Sequence, residues 1–159
     1  MSAERIDRAA IPPTLIRFDG GCLTVLRSDL AAVAPEEGCA LLLGGQAPDR
    51  SVCVQTIWPC RNVWALPDQR HRRFALDPRE QIAAQRWARL RRLRVVGVAH
   101  SHPDGGQQPS ALDCALADPA LVTVILDRSG APAAWWLPGG DAVVSVPVQV
   151  WDTELAFGL

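Results

Sequence analysis

Residues 95–102, VVGVAHSH, constrain this chain more than any other stretch. Val95, Val96 and Val98 are β-branched, and nothing polar interrupts the run until its end, as in a strand buried on both faces of a sheet. A strand of that kind requires layers above and below it, and so points to an α/β architecture. The run ends in His100 and His102. Side chains two residues apart on a strand share a face, so both imidazoles can reach one metal ion at ~2.0–2.1 Å. A strand end also fixes such ligands on a scaffold while leaving them open to solvent. Taken alone, His-x-His describes equally well two polar residues at a strand terminus.

The flanking segments supply the rest of the sheet. Residues 38–43, GCALLL, form an apolar run closed by Gly44-Gly45, and residues 52–57, VCVQTI, alternate as a strand that could pair with it. Residues 122–126, 133–137 and 142–150 read as three further strands, with Pro147 pushing the last toward a sheet edge. A short strand at 23–26 is expected before a helix capped by Ser28 and closed by Pro35. The clearest helix starts at Pro78, with Asp77 as N-cap and Glu80 completing a capping box. Its apolar positions are Ile82, Ala83, Trp87, Leu90 and Leu93, while Arg86, Arg89, Arg91 and Arg92 read as a solvated face toward the C-terminus. Residues 58–76 read as irregular, and a short helix begins at Ser110. The expectation is one domain over residues 1–159: a mixed β-sheet flanked by helices, with its core at about 20–150 and a loose lead-in over 1–13.

Charge and cysteine usage narrow the function classes. The formal net charge is -1, so no overall basic field recruits nucleic acid. No stretch approaches the ~20 apolar residues of a membrane helix. Five cysteines, an odd count without a Cys-x-x-Cys pair, suit free thiols in a reducing cytoplasm. All 16 cationic residues are arginine, the residue usage of a GC-rich bacterial genome.

Asp113 lies eleven residues after His102, beyond a Gly-Gly loop and on the first turn of the next helix. Two histidines and one carboxylate leave a fourth position open, the arrangement of a catalytic rather than a structural zinc site. Zinc there would lower the pKa of a water to about 7. Ser110 and Asp113 equally match a capping box, which explains both residues without a metal. Glu36 and Glu37 precede the strand at 38–43, and either carboxylate could be a solvated group or a base.

Assembled, these parts resemble the JAMM (MPN+) metallopeptidases, whose signature is an upstream glutamate, then His-(Ser/Thr)-His-Pro, six residues, Ser, two residues and Asp. HSHPDGGQQPSALD, residues 100–113, fits without a gap, and PEEGCALLLG, residues 35–44, resembles the upstream Pro-x-Glu-x-Cys-Gly-x-Leu-x-Gly, selecting Glu37. Ala40 stands where that pattern has glycine. Asn62, FALDP at 74–78 and Trp135-Trp136 also sit where bacterial members carry similar residues, so the likeness spans roughly 20–140. The resemblance implies a cytidine-deaminase-like α/β sandwich with one Zn2+ on His100, His102 and Asp113. It implies Glu37 as general base and Ser110 as hydrogen-bond donor to the oxyanion, an assignment that competes with Ser110 as a cap. A zinc nucleobase deaminase would need His/Cys-x-Glu and Pro-Cys-x-x-Cys, and neither is present.

Family members cut after the C-terminal Gly-Gly of ubiquitin or its relatives. Only seven residues separate His102 from Ser110, as in compact bacterial members acting on ubiquitin-like sulfur carriers. The expected activity is therefore hydrolysis of a conjugate or extension from a ubiquitin-like or sulfur-carrier protein, without nucleic acid or membrane and with a homodimer as a possible assembly. The alternatives are a deconjugase of a bacterial antiviral conjugation system and a non-catalytic MPN scaffold. Arg61, Arg70, Arg72 and Arg73 lie where larger relatives insert substrate-contacting structure; they are either acidic-partner contacts or a solvated loop.

Overall fold

The computed structural model describes residues 11–152, so the first ten residues of the expected lead-in lie outside the described residues. Among the described residues, eight strands form one mixed sheet in the order β7-β6-β5-β4-β2-β3-β1-β8. The strands are β1 (Ile16–Asp19), β2 (Cys39–Gln46), β3 (Val52–Cys60), β4 (Arg94–Ser101), β5 (Val122–Leu126), β6 (Pro132–Gly139), β7 (Ala142–Val146) and β8 (Val148–Trp151). The helices are α1 (Gly20–Ala31), α2 (Pro78–Arg89) and α3 (Ala111–Leu116). This is the mixed α/β arrangement expected, with β4 at its centre between antiparallel β2 and parallel β5.

Two expectations for the N-terminal part are corrected. Residues 23–26 are not a strand, and Ser28 is not a cap: both lie inside α1, whose N-cap is Asp19, accepting from Gly21 N–H at 2.7 Å. Leu23, Leu26 and Leu30 are the buried residues of α1, and their spacing of three and four is helical. A four-residue apolar run cannot be told from a strand by its own periodicity, and the leucine beyond it decides. The strand lies just upstream, where Ile16 and Phe18 point into the core and each contributes roughly 1.5–3 kcal/mol by burial.

The expected strand 142–150 is two strands on opposite edges. β7 pairs with β6, β8 pairs in parallel with β1, and only Pro147 separates them. The two edges of the sheet therefore meet at this corner, where the Pro147 carbonyl accepts from Ile16 N–H at 2.9 Å. A prolyl residue cannot donate to a ladder, which suits the break. The curled sheet encloses one apolar cluster that joins Leu23, Leu26 and Leu30 of α1 to Val124, Trp136 and Val146.

On the outer face α2 lies over β2. Asp77 caps it as expected, accepting from Arg79 N–H, but Glu80 does not complete a capping box; its carboxylate accepts from Trp58 Nε1–H at 2.9 Å. The buried contacts of α2 are Ala84 and Ala88, against Leu41 and Leu43, while Ile82 and Leu90 are exposed. Two alanines one turn apart let the helix sit close to the sheet, and this rotates the larger side chains outward. Trp87 and Leu93 do pack on this cluster, and Arg86, Arg89, Arg91 and Arg92 are exposed as expected of a solvated face.

β2 runs through Gly44-Gly45 rather than stopping there, with a register shift between Leu43 and Gly44. A Cβ on Gly44 would stand 1.8 Å from the Cys53 carbonyl oxygen, whereas one on Gly45 would meet nothing within 4 Å. Gly44→Ala should therefore lower unfolding stability by about 1–3 kcal/mol or more in urea titrations, and Gly45→Ala by much less. Equal effects would contradict this strand approach.

Candidate metal centre

The site is built where β4 ends. His100, at the last-but-one position of β4, sits opposite Cys39 on β2 and Ile125 on β5 and is 1% exposed. His102 follows, held by its N–H to the Leu126 carbonyl at 2.8 Å. The two Nε2 atoms lie 3.1 Å apart. Asp113 Oδ2 lies 3.3 Å from His100 Nε2 and 3.4 Å from His102 Nε2. Ligand atoms about a tetrahedral ion with ~2.0–2.1 Å bonds stand roughly 3.3 Å apart, so this triangle fits zinc. His102 Nδ1–H donates to the Gly106 carbonyl at 2.9 Å, which turns its Nε2 lone pair inward, the usual support of a metal-binding imidazole. The Phe74 ring stacks on His100 with centroids 4.4 Å apart.

Ser110 and Asp113 are a capping box as well as part of this site. Ser110 N–H donates to Asp113 Oδ2 at 2.8 Å, and Asp113 N–H donates to Ser110 Oγ at 3.0 Å. The expected competition between cap and site is thus corrected: one carboxylate oxygen serves the helix start and faces both histidines, and Ser110 caps by accepting, a bond that leaves its O–H uncommitted to the helix.

Glu37 is the glutamate brought to the site. It is 4% exposed, and its Oε1 lies 3.9 Å from His102 Nε2, while Oε2 has no hydrogen-bond partner among the described residues. Its backbone is fixed on both sides: Glu37 N–H donates to the Arg70 carbonyl at 2.7 Å, and Asn62 Nδ2 donates to the Glu37 carbonyl at 3.0 Å. Next to it, Gly38 N–H donates to Ser101 Oγ and Ser101 N–H donates to the Gly38 carbonyl, tying the glutamate to the strand between the two histidines.

The two carboxyls are pushed in opposite directions. Burial raises Glu37 to about 7, offset in part by His102 and reinforced by Asp113. Burial would raise Asp113 too, but hydrogen bonds with His100 and His102 hold it well below the usual carboxylate range. Burial lowers His100, favouring the neutral imidazole, whereas His102, against the effect of burial, is raised by Asp113 and Gly106. Cys39 and Cys60 are pushed up to about 12 and 11 by burial and remain thiols of the core.

The loop arginines divide. Arg70 Nε donates to the Trp64 carbonyl at 2.8 Å, and the Arg73 guanidinium lies over the Trp64 ring at 5.4 Å, so both help to build the loop. Arg61 and Arg72 are exposed. Residues 58–76 are more ordered than expected: β3 continues to Cys60, Pro67–Gln69 form a 3-10 turn, and Asn62 bridges to Leu76. A groove of about 530 Å³ leads from His100 and Asp113 along β4, lined by Leu41, Phe74, Val95, Val98 and Leu121. Phe74, Asn62 and the Gly106 carbonyl were not singled out as site residues from sequence; the likeness of Asn62 and of FALDP at 74–78 to bacterial members pointed toward the first two, and nothing pointed to Gly106.

Elemental mass spectrometry should find about one divalent ion per chain, and little in His102→Ala. Ser110→Ala should retain the ion and lose roughly 0.5–2 kcal/mol of stability through the cap. Metal loss equal to that of His102→Ala would place Ser110 in the ligand set instead.

Three relatives bear on this geometry. A solution structure of a Desulfitobacterium hafniense protein superposes with a TM-score of 0.76 at 26% identity, covering 87% of this chain and 94% of that one. A solution structure from Salinibacter ruber gives 0.64 at 32% identity, covering 87% and 93%. Tail tip assembly protein K of Escherichia phage N15 is 33% identical over 100 residues, which are 63% of this chain. The match spans 35% of that phage protein's length. Among the described residues no helix is long and apolar enough to cross a membrane. Residues 21–138 match the family described as prokaryotic homologues of the JAB domain, and the chain belongs to that family.

Proposed function

We propose that this chain is a zinc-dependent metallopeptidase of the JAMM type, hydrolysing the peptide or isopeptide bond after the C-terminal Gly-Gly of a ubiquitin-like or sulfur-carrier protein. One observation carries this reading: a buried carboxyl raised to about 7 stands 3.9 Å from His102 Nε2, beside a point on which the two imidazoles and the Asp113 carboxylate converge. A buried group titrating near the operating pH is what general-base work requires. Zinc held by His100, His102 and Asp113 would supply Lewis-acid activation of water at neutral pH.

The chain's own residues do the rest. Glu37 Oε2, which has no hydrogen-bond partner among the described residues, takes the proton from the water that attacks the scissile carbonyl carbon. The same oxygen returns it to the leaving amine nitrogen as the C–N bond breaks. Ser110 O–H donates to the carbonyl oxygen as negative charge develops there. The mostly apolar groove beside His100 offers an extended peptide a surface to lie along. The substrate is a Gly-Gly tail because side-chain-free residues reach a recessed centre of this kind, and because the chain's family resembles enzymes with that preference.

The reading is tested with a Gly-Gly-terminated sulfur-carrier protein bearing a short C-terminal peptide extension, cleavage being followed by mass spectrometry. Zinc-loaded protein should release the extension, and Glu37→Gln should retain zinc while cutting roughly 10²–10⁴-fold more slowly. A Glu37→Gln variant as active as the wild type would remove the carboxylate from the mechanism. A second reading, a non-catalytic module of a larger assembly, is favoured by the similarity to a tail tip assembly protein. It is supported if no Gly-Gly-terminated partner encoded nearby, including one from an antiviral conjugation system, is cleaved.

If the exposed arginines steer an acidic partner, replacing Arg61 and Arg72 should slow association at low salt and have little effect at high salt. Rates independent of ionic strength would show that these residues are solvated loop only.

A further inference from the structure

We infer that Asn62 is a positioning residue for the site, holding the Glu37 backbone and the Phe74 ring in one arrangement about the two histidines. This rests on the metallopeptidase reading for its consequence in catalysis, but not for its geometry.

Asn62 uses its full hydrogen-bonding capacity, two N–H donations and two oxygen acceptances. Its Nδ2 donates to the Glu37 carbonyl at 3.0 Å and to the Arg73 carbonyl at 2.8 Å. Its Oδ1 accepts from Trp64 N–H at 3.1 Å and from Ala75 N–H at 3.2 Å. The side chain thus grips both neighbours of Phe74, which stacks on His100, and at the same time the carbonyl of Glu37. The loop answers in kind, because the Arg70 carbonyl accepts the Glu37 N–H. Glu37 is consequently held at both its N–H and its C=O by a loop that Asn62 closes.

None of these bonds involves a candidate metal ligand, so the effect of Asn62 separates from metal binding. Glu37 itself lies between a turn and β2, where no helix ladder fixes its backbone. Without Asn62 its carbonyl would lose a buried donor, and the loop carrying Phe74 would lose its closure. A displacement of the order of 1 Å in a catalytic group can cost about 10²-fold in rate.

Asn62→Asp tests this, since it is isosteric, keeps both acceptances and removes both donations. Zinc per chain should match the wild type. Backbone amide exchange, followed by NMR, should accelerate about tenfold at Glu37, whose carbonyl loses its donor, while Trp64 and Ala75, whose acceptor is kept, and the amides of β4 and β5 hold their protection, the mark of local rather than global opening. On the sulfur-carrier extension probe, kcat should fall about 10²-fold with KM within about twofold. Asn62→Ser, which removes the paired donations without adding charge, is read in the same way if the aspartate variant does not fold. Unchanged exchange at Glu37, zinc loss, or a rise in KM alone would overturn the inference. A wild-type chain that cleaves nothing would defeat the metallopeptidase reading, and the exchange pattern would still decide the role of Asn62.

Discussion

The Asp113 carboxylate must satisfy a helix start and two imidazoles at once, and the site depends on its doing so. Oδ2 accepts from Ser110 N–H and faces both Nε2 atoms, so the first turn of α3 cannot form in its present place without bringing the carboxylate to the end of β4. The cap also resolves an electrostatic difficulty. A partly buried carboxylate is costly unless hydrogen-bonded, and the Ser110 N–H and the His100 imidazole meet that demand. The result is an anion held charged, against burial, beside two nitrogen donors.

Glu37 shows the opposite solution a few ångströms away. It too is buried, but its Oε2 has no hydrogen-bond partner among the described residues, and burial raises the group to about 7. Two carboxyls in one site are thereby pushed apart, one held well below the usual carboxylate range and the other raised above it. This division of labour follows from hydrogen-bond count rather than from exposure, since the two side chains are similarly covered.

The sheet explains why these groups meet. β4 is central and paired on both sides, which gives His100 a rigid base, while β2 runs antiparallel beside it and presents its beginning to the end of β4. Gly38 opposite Ser101 is the junction, and Glu37 is one residue before it. The outer face then receives α2 on two alanines, close enough that the loop before it, with Phe74, closes over His100. On the other face, α1 packs Leu23, Leu26 and Leu30 into the cluster that the curled sheet encloses, and the two edges of the sheet are joined through Pro147.

The candidate ligands His100, His102 and Asp113, with the Ser110 cap beside them, were legible in the sequence because they are local: they fall within one strand end, one loop and one helix start, and together they match a single motif. The buried strands were legible for the same reason, as runs of β-branched and aliphatic residues. The choice of Glu37 over Glu36 needed the family likeness, because two adjacent glutamates have no distinguishing local pattern. What only the tertiary structure decided depends on pairing between distant segments. The helical state of residues 23–26, the splitting of 142–150 onto opposite edges, the alanine face of α2, the double use of Asp113 and the grip of Asn62 on Glu37 are all of this kind. Each is set by which buried surfaces and backbone groups find one another across the fold, and periodicity within a segment carries no record of that.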